Sequence, residues 1–253
     1  MKKKILIVGL GGMGVNYFKA FEKFYNVYGL DKKKRVSEIN SNQILSGKIF
    51  YDFNKIQKNI DLIIISTTSN VRFKIFQNIL KKIKFNHIIF EKILFNNLNQ
   101  YSKALKLIKK NNFNSYVNCT NRMYNYVDFV KKIINLNNLK KIEMTGSNWG
   151  MCCNYIHYID LFLFILKKKT FNFYRPFLNN KFSKSRRKNF FELYGKLLFK
   201  VNDIDISIKC KKSKSLITSY KLNFYLKNNK KIIIDEIKNK LVLKDKNNLR
   251  IIK

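Results

Sequence analysis

In 253 residues the sequence has one proline, Pro176, two alanines, Ala20 and Ala104, one tryptophan, Trp149, and two histidines, His87 and His157. With so little proline and only nine glycines, no stretch is rich enough in Pro, Gly or Ser to act as a flexible linker. The four cysteines, Cys119, Cys152, Cys153 and Cys210, make neither a zinc spacing nor the framework of a stapled secreted domain. A reduced, cytoplasmic setting without bound metal is therefore expected. Long hydrophobic runs are missing as well. The stretch Tyr155 to Leu166 contains His157 and Asp160 and falls well short of the ~20 residues that cross a bilayer, so no membrane partner is expected. The start, Met1 to Val15, imitates a secretory signal, but no small-residue cleavage site follows and the run enters Asn16, Tyr17, Phe18 and Lys19. It reads as part of the fold.

Acidic residues are also few: 15 against 52 Lys and Arg, a net charge of +37. By itself that balance suggests nucleic acid or an anionic surface as a partner. The lysines, however, fall in short groups along the chain, among them Lys2 to Lys4, Lys32 to Lys34, Lys109 with Lys110, and Lys167 to Lys169, and form no single arm. The abundant types, Lys, Asn, Ile, Phe and Tyr, all have codons made only of A and T. Compositional drift with a solvated surface explains this better than a polyanion face, so nucleic acid is not expected as a partner. Drift does not explain the shortage of Glu.

What is present is ample core, at 46% hydrophobic content. The first half alternates short apolar runs with helical periodicity, as in a parallel sheet with crossover helices. Strands are expected at Lys4 to Val8, Val27 to Leu30, Ile49 to Phe53, Asp61 to Ile65, His87 to Phe90 and Tyr116 to Cys119. Helices are expected at Gly12 to Phe24, Val71 to Ile83 and Leu98 to Lys110. This unit closes near residue 120. Beyond it, a helical stretch at Tyr126 to Leu136, a strand at Lys140 to Thr145 and an apolar helix from about Asn154 to Leu166 precede successive strands at Asp203 to Ile208, Ser219 to Leu226 and Lys230 to Ile234. The fold class is thus α/β, with a Rossmann parallel sheet over 1–120 and an α+β domain on a mostly antiparallel sheet over 121–253.

Gly9, Gly11, Gly12, Met13 and Gly14 form a G-x-G-x-x-G that follows a strand and opens a helix. The first glycine permits the tight turn, the second lets backbone approach a pyrophosphate, and the third lets helix and strand pack closely. Phosphates then meet unpaired N–H groups at the positive end of the helix. Asp31 follows the second strand at the spacing of a ribose-binding acid, which favours NAD over NADP, although Lys32 to Lys34 and Arg35 could neutralise a 2′-phosphate. An ordinary glycine-rich turn is the alternative. Ser66, Thr67 and Thr68 end a strand at the carboxyl edge of the sheet, where they could bind the dinucleotide, cap the next helix, or both.

These motifs occur in series with Glu91-Lys92, Asn121-Arg122 and His157-x-x-Asp160, and over residues 1–165 the chain resembles the glucose-fructose oxidoreductase and inositol dehydrogenase family (Gfo/Idh/MocA). The segments Gly146 to Gly150 and Cys153 to His157 are similar to a subgroup associated with bacterial surface-sugar biosynthesis. The resemblance implies an NAD(P)-dependent oxidoreductase that transfers a hydride to or from a secondary hydroxyl of a sugar or nucleotide sugar. It also implies a homo-oligomer formed through the C-terminal sheet. Lys92 and His157 then correspond to the catalytic lysine and histidine, and Glu91 joins the cofactor-binding residues. Lys92 could serve as acid/base group or as a fixed charge facing a developing alkoxide, and His157 exchanges protons near neutrality. Arg122, Trp149, Asn154 and Asp160 are the substrate-binding candidates. For each a structural role stands beside the functional one: a salt bridge for Arg122, a core position for Trp149, a buried carboxylate for Asp160.

Two departures from the family pattern stand out. Ile93 replaces the proline after Lys92, and Cys153 stands four before His157, where an aspartate is expected. A cysteine cannot replace a carboxylate acceptor, so either Asn154 orients the substrate or the reaction differs. Two other readings follow: a degraded dinucleotide-binding sensor or scaffold, and a polyanion-binding module.

Overall fold

The computed structural model describes residues 2–32, 48–134, 138–174, 176–179, 182–185, 190–215, 217–227, 229–245 and 248–252. The chain divides into two compact units, 1–118 and 119–253.

In the first unit, β1 (Lys4–Val8), β2 (Asn26–Leu30), β3 (Ile49–Phe50), β4 (Asn59–Ile65), β5 (Lys84–Glu91) and β6 (Asn114–Asn118) form one parallel sheet in the order β3-β2-β1-β4-β5-β6. Three helices cross over between strands: α1 (Gly12–Phe21), α2 (Ser69–Lys82) and α3 (Leu98–Asn111). Alternate residues of β1 feed two apolar cores. Leu6 and Val8 join Ile63, Ile65, Phe76 and Phe90 in one, while Ile5 and Ile7 join Val15, Phe18, Val27 and Ile64 in the other. A strand buried on both faces reads as an unbroken apolar run, which is why β1 and β4 are so plain in the sequence. Each such side chain contributes roughly 1.5–3 kcal/mol on leaving water. The order reverses between β1 and β4, and the crevice beyond the carboxyl ends of these two strands is where ligands of such sheets bind.

The second unit packs α4 (Tyr126–Ile133) and α5 (Met151–Ile165) on a nine-stranded sheet. Its strands are β7 (Leu139–Ser147), β8 (Asn172–Phe173), β9 (Phe177–Leu178), β12 (Gly195–Val201), β13 (Ile204–Lys211), β14 (Ser219–Leu226), β15 (Lys231–Asp235), β16 (Lys240–Asp245) and β17 (Asn248–Ile252), while β10 (Ser183–Lys184) and β11 (Phe191–Glu192) form a separate pair. The order is β17-β16-β15-β14-β7-β13-β12-β8, with β9 also on β12, and only β7 with β13 is parallel. Ile142, Met144, Ile206, Ile208, Leu222 and Phe224 point to the helices Val127, Val130, Leu161 and Phe162 belong to. The expected fold class, a Rossmann sheet followed by an α+β domain on a mostly antiparallel sheet, is the one observed. The helix expected from about Asn154 begins earlier, at Met151, because Gly150, at φ 71, turns the chain and Glu192 of β11 accepts the Cys152 N–H at 2.6 Å. Leu136, the expected end of α4, lies outside the described residues. Among the described residues no helix is long and apolar enough to cross a membrane.

Candidate functional site

The glycine loop lies between β1 and α1, and its four glycines differ in what surrounds them. Gly9 has φ +93, and a Cβ there would come within 2.7 Å of Thr67 Cγ2. At Gly14 a Cβ would sit 1.9 Å from the Gly9 carbonyl oxygen, so helix and loop can approach only without a side chain. At Gly11 and Gly12 it would meet nothing within 4 Å. Chain geometry therefore requires the outer two glycines, whereas the space over Gly11 and Gly12 is open. The first helical hydrogen bond runs from Val15 N to Gly11 O at 3.0 Å, and α1 has neither a side-chain cap nor an acid in its first turn. The N–H groups ahead of Val15 thus present the positive helix end to that open space. Met13, 44% exposed, stands beside it.

A groove of ≈ 410 Å³ runs along this edge, lined by Gly9, Gly11, Asp31, Ser66, Thr67 and Thr68 together with Lys32, Tyr51 and Asp52. Asp31 follows β2, and its Oδ2 accepts the Leu10 N–H at 2.7 Å, which fixes the carboxylate against the glycine loop. Lys33, Lys34 and Arg35 lie outside the described residues. Ser66 Oγ donates to the Gly9 carbonyl at 2.6 Å and so braces the loop. Thr68 is the N-cap residue of α2 but makes no side-chain cap, and Thr67 Oγ1 is buried without a partner among the described residues. A helix end without a cap, two glycines facing open space, an orphan hydroxyl and a fixed carboxylate suit a dinucleotide: diphosphate at Gly11 to Met13, adenosine ribose at Asp31.

Lys92 follows β5, the next strand along the same edge, and the Lys92–Ile93 peptide bond is cis. Glu91 is 6% exposed, and its Oε1 accepts from Tyr17 and from Asn118 Nδ2, the latter at 2.9 Å. Burial, reinforced by Glu91, pushes the Tyr17 hydroxyl well above the usual tyrosine range. The Glu91 carboxylate is held inside the protein, bracing β5 against α1 and β6, and Glu91 is not among the residues lining the groove. Sequence reasoning missed Tyr17, Asn118 and above all Arg72, which is 2% exposed. Arg72 lies on the α2 stripe that carries Phe76 and Ile79, and a basic residue on a buried helical face was the available signal.

In the second unit, Arg122 donates through Nε to Asp160 Oδ2 at 2.6 Å and through Nη2 to Oδ1, a bidentate pair. That pairing, with burial opposing it, raises the Arg122 guanidinium further above its ordinary range. Asp160 is thereby committed to Arg122. Trp149 is 5% exposed, donates to the Lys209 carbonyl at 3.3 Å and packs edge-on to Tyr158 at 5.7 Å. It sits in the core of the second unit, the structural role that stands beside its substrate-binding one. Asn154 Nδ2 donates to the Trp149 carbonyl at 2.8 Å, closing the turn ahead of α5. His157 is partly buried and lies inside α5, and Cys153 lies one turn before it. Burial, with Glu192 nearby, pushes the neighbouring Cys152 thiol up to about 11, the opposite of an activated nucleophile.

No family profile matches the sequence, and no curated protein does. Solved structures do. A dehydrogenase (MviM) from Clostridium difficile is similar over 100% of this chain and 83% of its own, at 17% identity and a TM-score of 0.79. The UDP-N-acetylglucosamine 3-dehydrogenase GnnA from Acidithiobacillus ferrooxidans is similar over 100% and 83%, at 10% identity and a TM-score of 0.76. An oxidoreductase from Agrobacterium radiobacter, in complex with NAD+, L-tartaric acid and magnesium, is similar over 100% and 79%, at 13% identity and a TM-score of 0.73. Identities this low establish architecture only, and on that ground the chain has the two-domain fold of the glucose-fructose oxidoreductase and inositol dehydrogenase type of dehydrogenase.

Proposed function

We propose that the protein is an NAD-dependent oxidoreductase of that family, acting on a secondary hydroxyl of a sugar or nucleotide sugar. The observation that carries this reading is the uncapped start of α1 facing open space at Gly11 and Gly12, with Asp31 fixed beside it. Backbone N–H groups at Gly11 to Met13 hold the diphosphate, and the Asp31 carboxylate accepts ribose hydroxyls and repels a 2′-phosphate. The dinucleotide, when bound, supplies the hydride acceptor or donor. Lys92 faces the substrate oxygen with positive charge as alkoxide character develops, and His157 takes up or returns the hydroxyl proton. The sugar class is supported by the motifs shared with the family and by the likeness to a nucleotide-sugar dehydrogenase.

The test begins with calorimetry and nicotinamide fluorescence on the purified protein. Saturable uptake of NADH, tighter than of NADPH, is expected, and uptake of neither removes the redox reading. Asp31→Asn should weaken NADH binding roughly tenfold and narrow the preference over NADPH. Turnover is then followed by nicotinamide absorbance over a panel of sugars and nucleotide sugars that starts with UDP-N-acetylglucosamine. Lys92→Met should lower it at least ~100-fold with NADH binding kept, and His157→Ala tests the second role in the same way. NADH binding without turnover across the panel would favour a sensor or scaffold.

A further inference from the structure

Arg72 is the most deeply buried charged side chain among the described residues, and four backbone carbonyls are among its partners. Nη1 donates to Glu91 O at 2.5 Å, to Ile93 O and to Leu94 O at 3.0 Å, and Nη2 donates to Thr67 O. Three of these four carbonyls flank Lys92 on both sides. The fourth belongs to the loop after β4, which lines the dinucleotide groove. Carbonyl oxygens converging on one nitrogen repel one another unless a cation sits among them, so the path of residues 91–94 depends on the guanidinium. Burying such a charge is costly, and an apolar side chain would suit the Phe76 and Ile79 stripe better. A lysine has one donor nitrogen and cannot span both loops, whereas the guanidinium fork can. Glu91 is fixed from the other side by Tyr17 and Asn118.

We propose that Arg72 is a positioning residue: by bolting the loop after β5 to the loop after β4, it sets where Lys92 stands relative to the dinucleotide groove. This rests on the oxidoreductase reading for its catalytic consequence but not for its structural one, and the two can be tested apart. Arg72→Lys and Arg72→Gln would be compared with the wild type in thermal unfolding, in NADH binding, and in the rate at which an amine-reactive reagent modifies each lysine, read by mass spectrometry. The substrate that turns over in the panel above supplies kcat and KM.

The expected result is that at least one variant folds and binds NADH within about threefold of the wild type. Its Lys92 modification rate should change severalfold while the rates at Lys81 and Lys109 hold. Its kcat should fall ~100-fold with KM little changed, as expected for a displaced reacting group. Two results would overturn the proposal: a folded variant whose Lys92 reactivity and kcat match the wild type, or failure of both variants to fold, which would make Arg72 a stability element alone. If the wild type takes up no NADH, the functional reading fails, while the labelling arm still decides whether Arg72 places Lys92.

Discussion

At the scale of single residues, glycines in one motif answer to different forces, and substitution separates them. Gly14→Ala would set a methyl group 1.9 Å from the Gly9 carbonyl oxygen, so the first unit should lose on the order of 3 kcal/mol or more, seen as a lower urea midpoint. Gly11, with φ -74, tolerates a side chain in conformation and in protein space. Gly11→Val should therefore unfold like the wild type yet bind NADH at least ~100-fold more weakly, because the side chain fills the space the diphosphate needs. Equal NADH affinity in Gly11→Val would remove the diphosphate from this loop. The contrast shows how far the motif could be read in advance. Type and spacing identify the loop, but which glycine serves the fold and which serves a ligand depends on the folded path: Gly14 meets the Gly9 carbonyl first, whereas Gly9 is confined by Thr67, more than 50 residues away.

At the scale of elements, a carboxylate ties the second unit together. Glu236, in the turn between β15 and β16, accepts from Tyr126 of α4 and from Tyr158 of α5, the latter at 3.3 Å. Burial pushes its carboxyl above the ordinary range, and the tyrosine hydroxyls only partly oppose this. A carboxyl raised in the folded state binds its proton more readily there than in the unfolded chain. Its contribution is complete below the unfolded pKa, about 4.3, and is lost as pH rises through the folded value. Glu236→Gln imitates the protonated form. Relative to the wild type, this variant should gain stability between pH 4 and pH 7.5, read from unfolding followed by the single tryptophan, which sits in this core. A pH-independent difference would show that Glu236 is not raised. The elements themselves were legible in outline because strand and helix periods are local. The start of α5 was not, since Gly150 and Glu192 set it from outside the periodic stretch.

At the scale of the whole molecule, part of the basic surplus lies on one face of the second sheet. Residues of the second sheet that alternate with its core positions include Lys141, Lys196, Lys209, Lys221, Lys231 and Lys244, and Lys196 stands directly opposite Lys209, as Lys231 does Lys244. Like charges opposed across strands are destabilising. Glu143, Asp205 and Asp235 each pair with one lysine and leave a cationic surplus. If two copies associate through this face, as the family resemblance leads one to propose, salt should strengthen the pairing by screening that repulsion. A polyanion bound there would show the opposite trend, its affinity falling as salt rises. Sedimentation at roughly 0.05 M and 0.5 M NaCl, around the range where screening lengths shrink below the spacing of surface charges, separates the two. Dimer loss at high salt would assign pairing to another surface.

The sequence by itself determined the alternation of buried strands and helices, the place of the glycine turn, the acid after the second strand and the change to successive strands after the apolar helix that ends near Leu166. All of these depend on neighbours within a few residues, through backbone sterics and the periods of burial. The tertiary structure alone decided that Trp149 is core, that Glu91 faces Tyr17, that Arg122 is held by Asp160 and that Arg72 grips the Lys92 loop. Those are long-range choices of partner. A polar side chain at a given position can face solvent, a ligand or another buried group, and only the packing of distant segments fixes which of them lies within hydrogen-bond reach.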